Sequence, residues 1–177
     1  MPFTFEPTAL AGVVIVLPSV VEDARGSLME TFKQSEFEAA GVPLTVVQEN
    51  HTLSRAGTLR GLHYQRHPKA QGKLVRVIRG EIYDVVVDIR PGSPTYAQWL
   101  GVTLSGANRK SIYVPPGFAH GFCVVSPEAE VIYQTTEEYA PDHEHGIRWD
   151  DRTLGISWPV ANPQLSERDK HWPPFKK

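Results

Sequence analysis

Only one cysteine, Cys123, occurs among 177 residues, so no disulfide can close within the chain. Its neighbours Phe122, Val124 and Val125 mark it as a buried strand residue rather than a nucleophile. Long uninterrupted apolar runs are missing, which argues against a membrane span. Residues 1–6 lack the basic head, apolar middle and small-residue cleavage site of a secretory signal. A reducing cytoplasm fits these features. An excess of charge is missing as well: the net charge is −2, the pI is near 6.4, and lysines and arginines are scattered, which leaves no footing for nucleic acid or an anionic membrane. No P-loop, dinucleotide fingerprint or nucleophile elbow is found, so nucleotide hydrolysis, hydride transfer and triad hydrolysis have no support. Helix signals are scarce too. The single good one has Ser35 as N-cap, Glu38 three residues on and Gly41 as the stop, and spans under two turns.

What is present is a folded core's worth of apolar residues, 41% with 10% aromatic, in a length that suits one domain over residues 1–177. Residues 12–17 carry a β-branched run that stops at Pro18 and reads as the first strand. Residues 22–30 form a charged turn hinged at Gly26, either a solvated hairpin or a loop presenting Arg25 and Glu30 to a ligand. Residues 44–53 alternate so that Gln48 and Asn50 share one strand face. From 59 to 89 the apolar runs recur between turns at His67-Pro68-Lys69 and Arg79-Gly80-Glu81, which predicts a meander. Further short strands follow at similar spacing, and the tail from Pro159 is irregular. This pattern predicts an all-β sandwich or barrel with a short helix.

Chemistry gathers around Arg60-Gly61-Leu62-His63-Tyr64-Gln65, where a histidine interrupts a strand. Alternation puts Arg60 and His63 on opposite faces, so they meet only if Gly61 or Leu62 forms a bulge. Lys73 shares a face with Val75 and Val77, and a core-facing ammonium is costly unless it is paired or used, the bland alternative being an edge position. Tyr133 points inward with Val131 and Thr135. Residues 115–121 match the P-x-G-x-x-H turn of the cupin barrels, aiming His120 inward. Metal-binding cupins also need an upstream H-x-H, where this chain has His63-Tyr64-Gln65, and glutamine is a poor transition-metal ligand. His143-Glu144-His145 follows Pro141-Asp142 and reads as a solvated loop from which Glu144 reaches a ligand. Ser166 to Asp169 looks like a capping box before Pro173-Pro174, and Asp169 is placed either in a turn of helix or folded back to orient His63.

Taken together, Asp23-x-Arg25-Gly26, Gln48-Glu49-Asn50, Arg60-Gly61-Leu62-His63, Lys73-Leu74-Val75, the 114–121 segment, Tyr139-x-Pro141-x-x-Glu144-x-Gly146-Ile147-x-Trp149-x-Asp151 and Leu165-Ser166-x-Arg168-Asp169 resemble the dTDP-4-dehydrorhamnose 3,5-epimerase family. The resemblance implies a cupin-type jelly-roll barrel and a homodimer with exchanged N-terminal strands. It implies a dTDP-4-keto-6-deoxysugar as substrate and no cofactor or metal. It assigns His63 as base, Asp169 as its orienting acid, Tyr133 as the acid on the opposite face of the sugar and Lys73 at the enolate oxygen. Arg60 and His120 would line the sugar-phosphate pocket. Arg25, Glu30, Gln48, Asn50, Glu144 and Arg168 would contribute to nucleotide binding, with Tyr139 stacking on thymine. Leu28 stands where the family usually has phenylalanine, and Arg168 where lysine is commoner. Alternatives are an epimerase acting at one carbon, a ketoisomerase, a non-catalytic sugar-binding cupin and a metal-dependent cupin oxygenase.

Overall fold

The computed structural model describes residues 2–176 and builds two antiparallel sheets face to face. The strands in chain order are β1 Phe3–Pro7, β2 Val14–Pro18, β3 Val20–Asp23, β4 Gly26–Met29, β5 Gln48–Arg55, β6 Leu59–Gln65, β7 Lys73–Arg79, β8 Glu81–Asp88, β9 Trp99–Ser105, β10 Ser111–Val114, β11 Phe118–Val124, β12 Glu128–Thr135 and β13 Glu144–Gly146. One sheet runs β1-β2-β10-β7-β12-β5, the other β13-β6-β11-β8-β9, and β3-β4 stands as a two-stranded ribbon. The interior between the sheets is filled by Val75, Val77 and Val131 from one side and Ile82, Val86 and Phe122 from the other. This is the jelly-roll barrel of the cupins.

Both sheets are also covered on their outer faces. Helix α1, Gln34–Ala39, drives Phe37 against Phe3, Phe5 and Phe32, with Leu44 and Leu74 completing that cluster. Across the molecule, Leu62, Val85 and Val87 lie under Ile147, Leu154 and the tail residues Trp158 and Phe175. Double coverage explains why β8 reads as an almost continuous apolar run instead of alternating: Ile82 and Val86 face the interior while Val85 and Val87 face the outer layer.

Several local expectations are corrected. The run from 59 to 89 is not a meander: β6 and β8 lie in one sheet and β7 in the other. The chain crosses between sheets at Gly80, where φ is +79° and an added Cβ would sit 2.0 Å from the Glu128 carbonyl oxygen. Tight corners of this kind look like hairpin turns in sequence. The strand at 12–17 is second, since Phe3–Pro7 precedes it and pairs with it. Pairing in the 44–53 run starts only at Gln48, because Leu44 is buried in the aromatic cluster beside α1. Helix α1 starts at Gln34 with Lys33 at the cap and no side-chain cap bond, so Phe37 packing rather than Ser35 sets its start. Its predicted stop holds, Gly41 having φ +73° and its N–H bonding the Glu38 carbonyl.

Candidate active site

A cavity of about 450 Å³ opens between the sheets, walled by β5, β6, β7, β11 and β12 and capped by residues 139–144 and the tail. His63 enters from β6. Opposite it, β11 keeps residue-by-residue pairing except that His120 faces His63 while Phe122 faces Arg60, so β6 carries one extra residue. The expected bulge is therefore real. Gly61, at φ +143°, allows it: an added Cβ would lie 2.6 Å from the Gly121 Cα. The extra residue turns Arg60 and His63 into the same cavity.

Helix α2, Glu167–Lys170, is the single turn that the capping signal allowed, with Ser166 Oγ accepting from the Asp169 N–H at 3.1 Å. That turn is what delivers Asp169, so the two sequence readings are one structure. Asp169 Oδ1 lies 2.6 Å from His63 Nε2 and also accepts from Trp172 Nε1 at 3.1 Å. Burial pushes the Asp169 carboxyl up, but the hydrogen bond and charge of His63, with the bonds from Trp172 and Ser166, outweigh it and hold the group below its ordinary range. An ionised Asp169 keeps the His63 proton on Nε2 and leaves Nδ1 as an acceptor.

Lys73 and Tyr133 come from the other sheet. Strand β7 is flanked by β10 and β12, so Lys73 is not at an edge. Lys73 is half-buried in the cavity wall, and burial lowers its pKa to about 8 against the opposing pull of Asp84 and Glu144. The Tyr133 phenol is pushed up by burial, with Arg60 opposing and Glu144 adding, so it stays protonated at neutral pH. Gln48 and Asn50 project inward from β5 as expected and bond each other at 3.0 Å.

At the mouth, Glu144 sits on strand β13 paired to β6, not in a solvated loop. Its Oε2 accepts from Tyr139 Oη at 2.7 Å and from Arg168, which also donates to Tyr139 Oη at 3.2 Å. Gln65 serves the backbone: Nε2 donates to the Lys69 and Glu138 carbonyls and Oε1 accepts from the Ala140 N–H, which holds the 138–140 segment over the cavity. Arg25 and Glu30 do not line this cavity. Arg25 is an exposed tip residue paired with Asp23 on the β3-β4 ribbon. Sequence reasoning missed Trp172 and Asp84, the latter a carboxylate within an apolar run whose Oδ2 lies 2.8 Å from His120 Nε2.

The model of the dTDP-4-dehydrorhamnose 3,5-epimerase family matches residues 7–177. The chain belongs to this family. A relative named dTDP-4-dehydrorhamnose 3,5-epimerase from Shigella flexneri is 52% identical over 163 residues, covering 92% of this chain and 90% of that one. The crystal structure of the epimerase from Bacillus anthracis, with TDP and PPi bound, superposes with a TM-score of 0.96 at 42% identity, over 98% of this chain and 99% of the other. The Legionella pneumophila dTDP-6-deoxy-D-glucose-3,5-epimerase, in complex with dTDP-4-keto-L-rhamnose, gives a TM-score of 0.92 at 39% identity, over 99% and 100% of the two chains. No helix among the described residues of this epimerase is long and apolar enough to cross a membrane.

Proposed function

We propose that the protein converts dTDP-4-dehydro-6-deoxy-D-glucose to dTDP-4-dehydro-L-rhamnose by inverting carbons 3 and 5. The observation that carries this reading is a single cavity in which a carboxylate-oriented imidazole from one sheet faces an ammonium and a protonated phenol from the other. The 4-keto group acidifies the hydrogens on both neighbouring carbons. His63 Nδ1 removes one as a proton, the electron pair moves onto the ketone oxygen, and the Lys73 ammonium stabilises the resulting enolate. Tyr133 then returns a proton to the opposite face of the same carbon, which inverts it. A placed base contributes about 10² to 10⁴ in rate and one preorganised donor at the oxyanion about 10² to 10³. The chemistry needs no cofactor or metal.

Arg60 and His120 are read as lining the sugar-phosphate pocket, and Arg168, Glu144, Gln48 and Asn50 as nucleotide contacts, with Tyr139 stacking on thymine. Arg25 and Glu30 fit the same role only from a second copy. Strands β1 and β2 pair within their own chain, so the N-terminal strands offered for exchange are those of the β3-β4 ribbon. The six-stranded sheet ends at β5, and a partner ribbon laid along that edge brings its Arg25 and Glu30 to the mouth in a homodimer. Residues 1–177 are read as one cytoplasmic domain.

Turnover in deuterium oxide tests the reaction. Wash-in at both carbons is expected, wash-in at one carbon would make the protein a mono-epimerase, and none would sink the assignment.

A further inference from the structure

Asp84 is a fully buried carboxylate beneath the cavity floor, on the interior face of β8 between Ile82 and Val86. Its neighbour on the same strand, Asp88, is equally buried but has every need met by Arg90, Ser93 and Thr95. Asp84 is treated differently: Oδ2 meets His120, while Oδ1, buried as well, has no donor among the described residues. Retaining a charge at such a site is expensive unless it acts on something nearby. The cation that feels it is Lys73, reaching the interior from the facing sheet.

We propose that Asp84 is a positioning residue of the reaction, fixing the His120 ring through one oxygen and supplying through its field the counter-charge that keeps the Lys73 ammonium charged as the enolate forms. The cavity around Lys73 contains two guanidinium groups, Arg60 and Arg168, and two imidazoles, His63 and His120. Its phenols are Tyr64, Tyr133 and Tyr139, and its carboxylates Glu144 and Asp169. Burial opposes the protonated form of Lys73. Asp169 is committed to His63 and Trp172, and Glu144 to Tyr139 and Arg168 at the mouth. Asp84 is the carboxylate set behind the floor, where no solvent screens it.

The inference rests on Lys73 acting at the enolate oxygen, and its test is separate from the deuterium experiment, which reports on the reaction alone. Asp84→Asn preserves an acceptor for His120 and removes only the charge. The alkaline limb of its kcat/KM, which reports the free enzyme and is expected in the parent near pH 8 from Lys73, should move down by about one pH unit, so that kcat/KM falls about tenfold more than the parent's above that pH. Placing the same change in a Lys73→Arg background should abolish the displacement, since a guanidinium stays charged throughout. A loss by one constant factor at every pH, or an equal displacement in the Lys73→Arg background, overturns the proposal. A parent-like melting curve certifies the fold of Asp84→Asn. If that variant does not fold, Asp84→Glu keeps the charge and should hold the alkaline limb in place while kcat/KM falls; a limb displaced downward overturns the proposal.

Discussion

His63 and Lys73 show how far a residue's setting, rather than its type, decides what it does. The Asp169 bond at 2.6 Å fixes which nitrogen of His63 is free, and burial leaves Tyr133 protonated on the other wall. His63→Ala and Tyr133→Phe are each expected to lower kcat by about 10² to 10⁴ while TDP affinity, measured by calorimetry, stays near that of the parent. Equal loss of binding and turnover would remove them from the proton-transfer step. Lys73 carries a cost that the proposed role at the enolate oxygen would justify. Its folded-state pKa lies below the unfolded value, so the unfolded chain binds the extra proton between about pH 8 and pH 10.5, and stability from this group rises with pH across that window. At neutral pH the ammonium therefore works against the fold. Lys73→Met is expected to stabilise the protein by about 1–2 kcal/mol in neutral buffer, a figure reduced because cavity water recovers part of the ammonium's hydration, while abolishing turnover. A melting temperature at or below the parent's would show that the ammonium is already compensated in the free protein.

At the scale of elements, the bulge in β6 and the single turn of α2 do the aiming. Gly61→Ala places a methyl carbon against the Gly121 backbone, which cannot yield as a flexible side chain would. A loss of about 2–4 kcal/mol in urea unfolding is expected, together with a fall in kcat as His63 leaves its alignment with Asp169. Asp169 has the opposite sign from Lys73: its depressed value adds stability above the ordinary carboxyl range, and that stability is lost as pH falls through the folded value. Asp169→Asn should accordingly flatten the acid limb of the stability profile, whereas an unchanged limb would mean other carboxylates carry it. These elements were partly legible beforehand. The need for a bulge followed from period-two alternation, and the α2 turn from its cap and the prolines after it. The pairing order did not follow, because a jelly roll sends consecutive strands to different sheets and a corner such as Gly80 has the residues of a hairpin. Asp84 went unread for a related reason. A carboxylate within an apolar run shows its purpose only when the facing sheet brings His120 and Lys73 to it.

Across the whole molecule, the proposed homodimer makes the ribbon the element that would complete the cavity. Val21 and Leu28 on it are 66% and 75% exposed, an unusual cost for large apolar side chains unless another surface covers them. Arg25 at its tip and Glu30 just beyond it are the members of the expected nucleotide-binding set that their own cavity lacks, while the open edge of β5 carries Gln48 and Asn50 into that cavity. Sequence could name these residues but could not assign them to a neighbour, since alternation and spacing carry no information on which copy a side chain serves. The proposed exchange makes a quantitative demand. Arg25→Ala and His63→Ala subunits, each nearly inactive alone, should regain activity when unfolded together and refolded, because in a mixed dimer one cavity combines an intact His63 with an intact Arg25. Random pairing restores about a quarter of the sites. Leu28→Asp should shift sedimentation towards a monomer and lower activity with the His63–Asp169 pair intact. Refolded mixtures with no more activity than the sum of their parts would place Arg25 outside the partner's cavity, and the exposed ribbon would then require a different occupant.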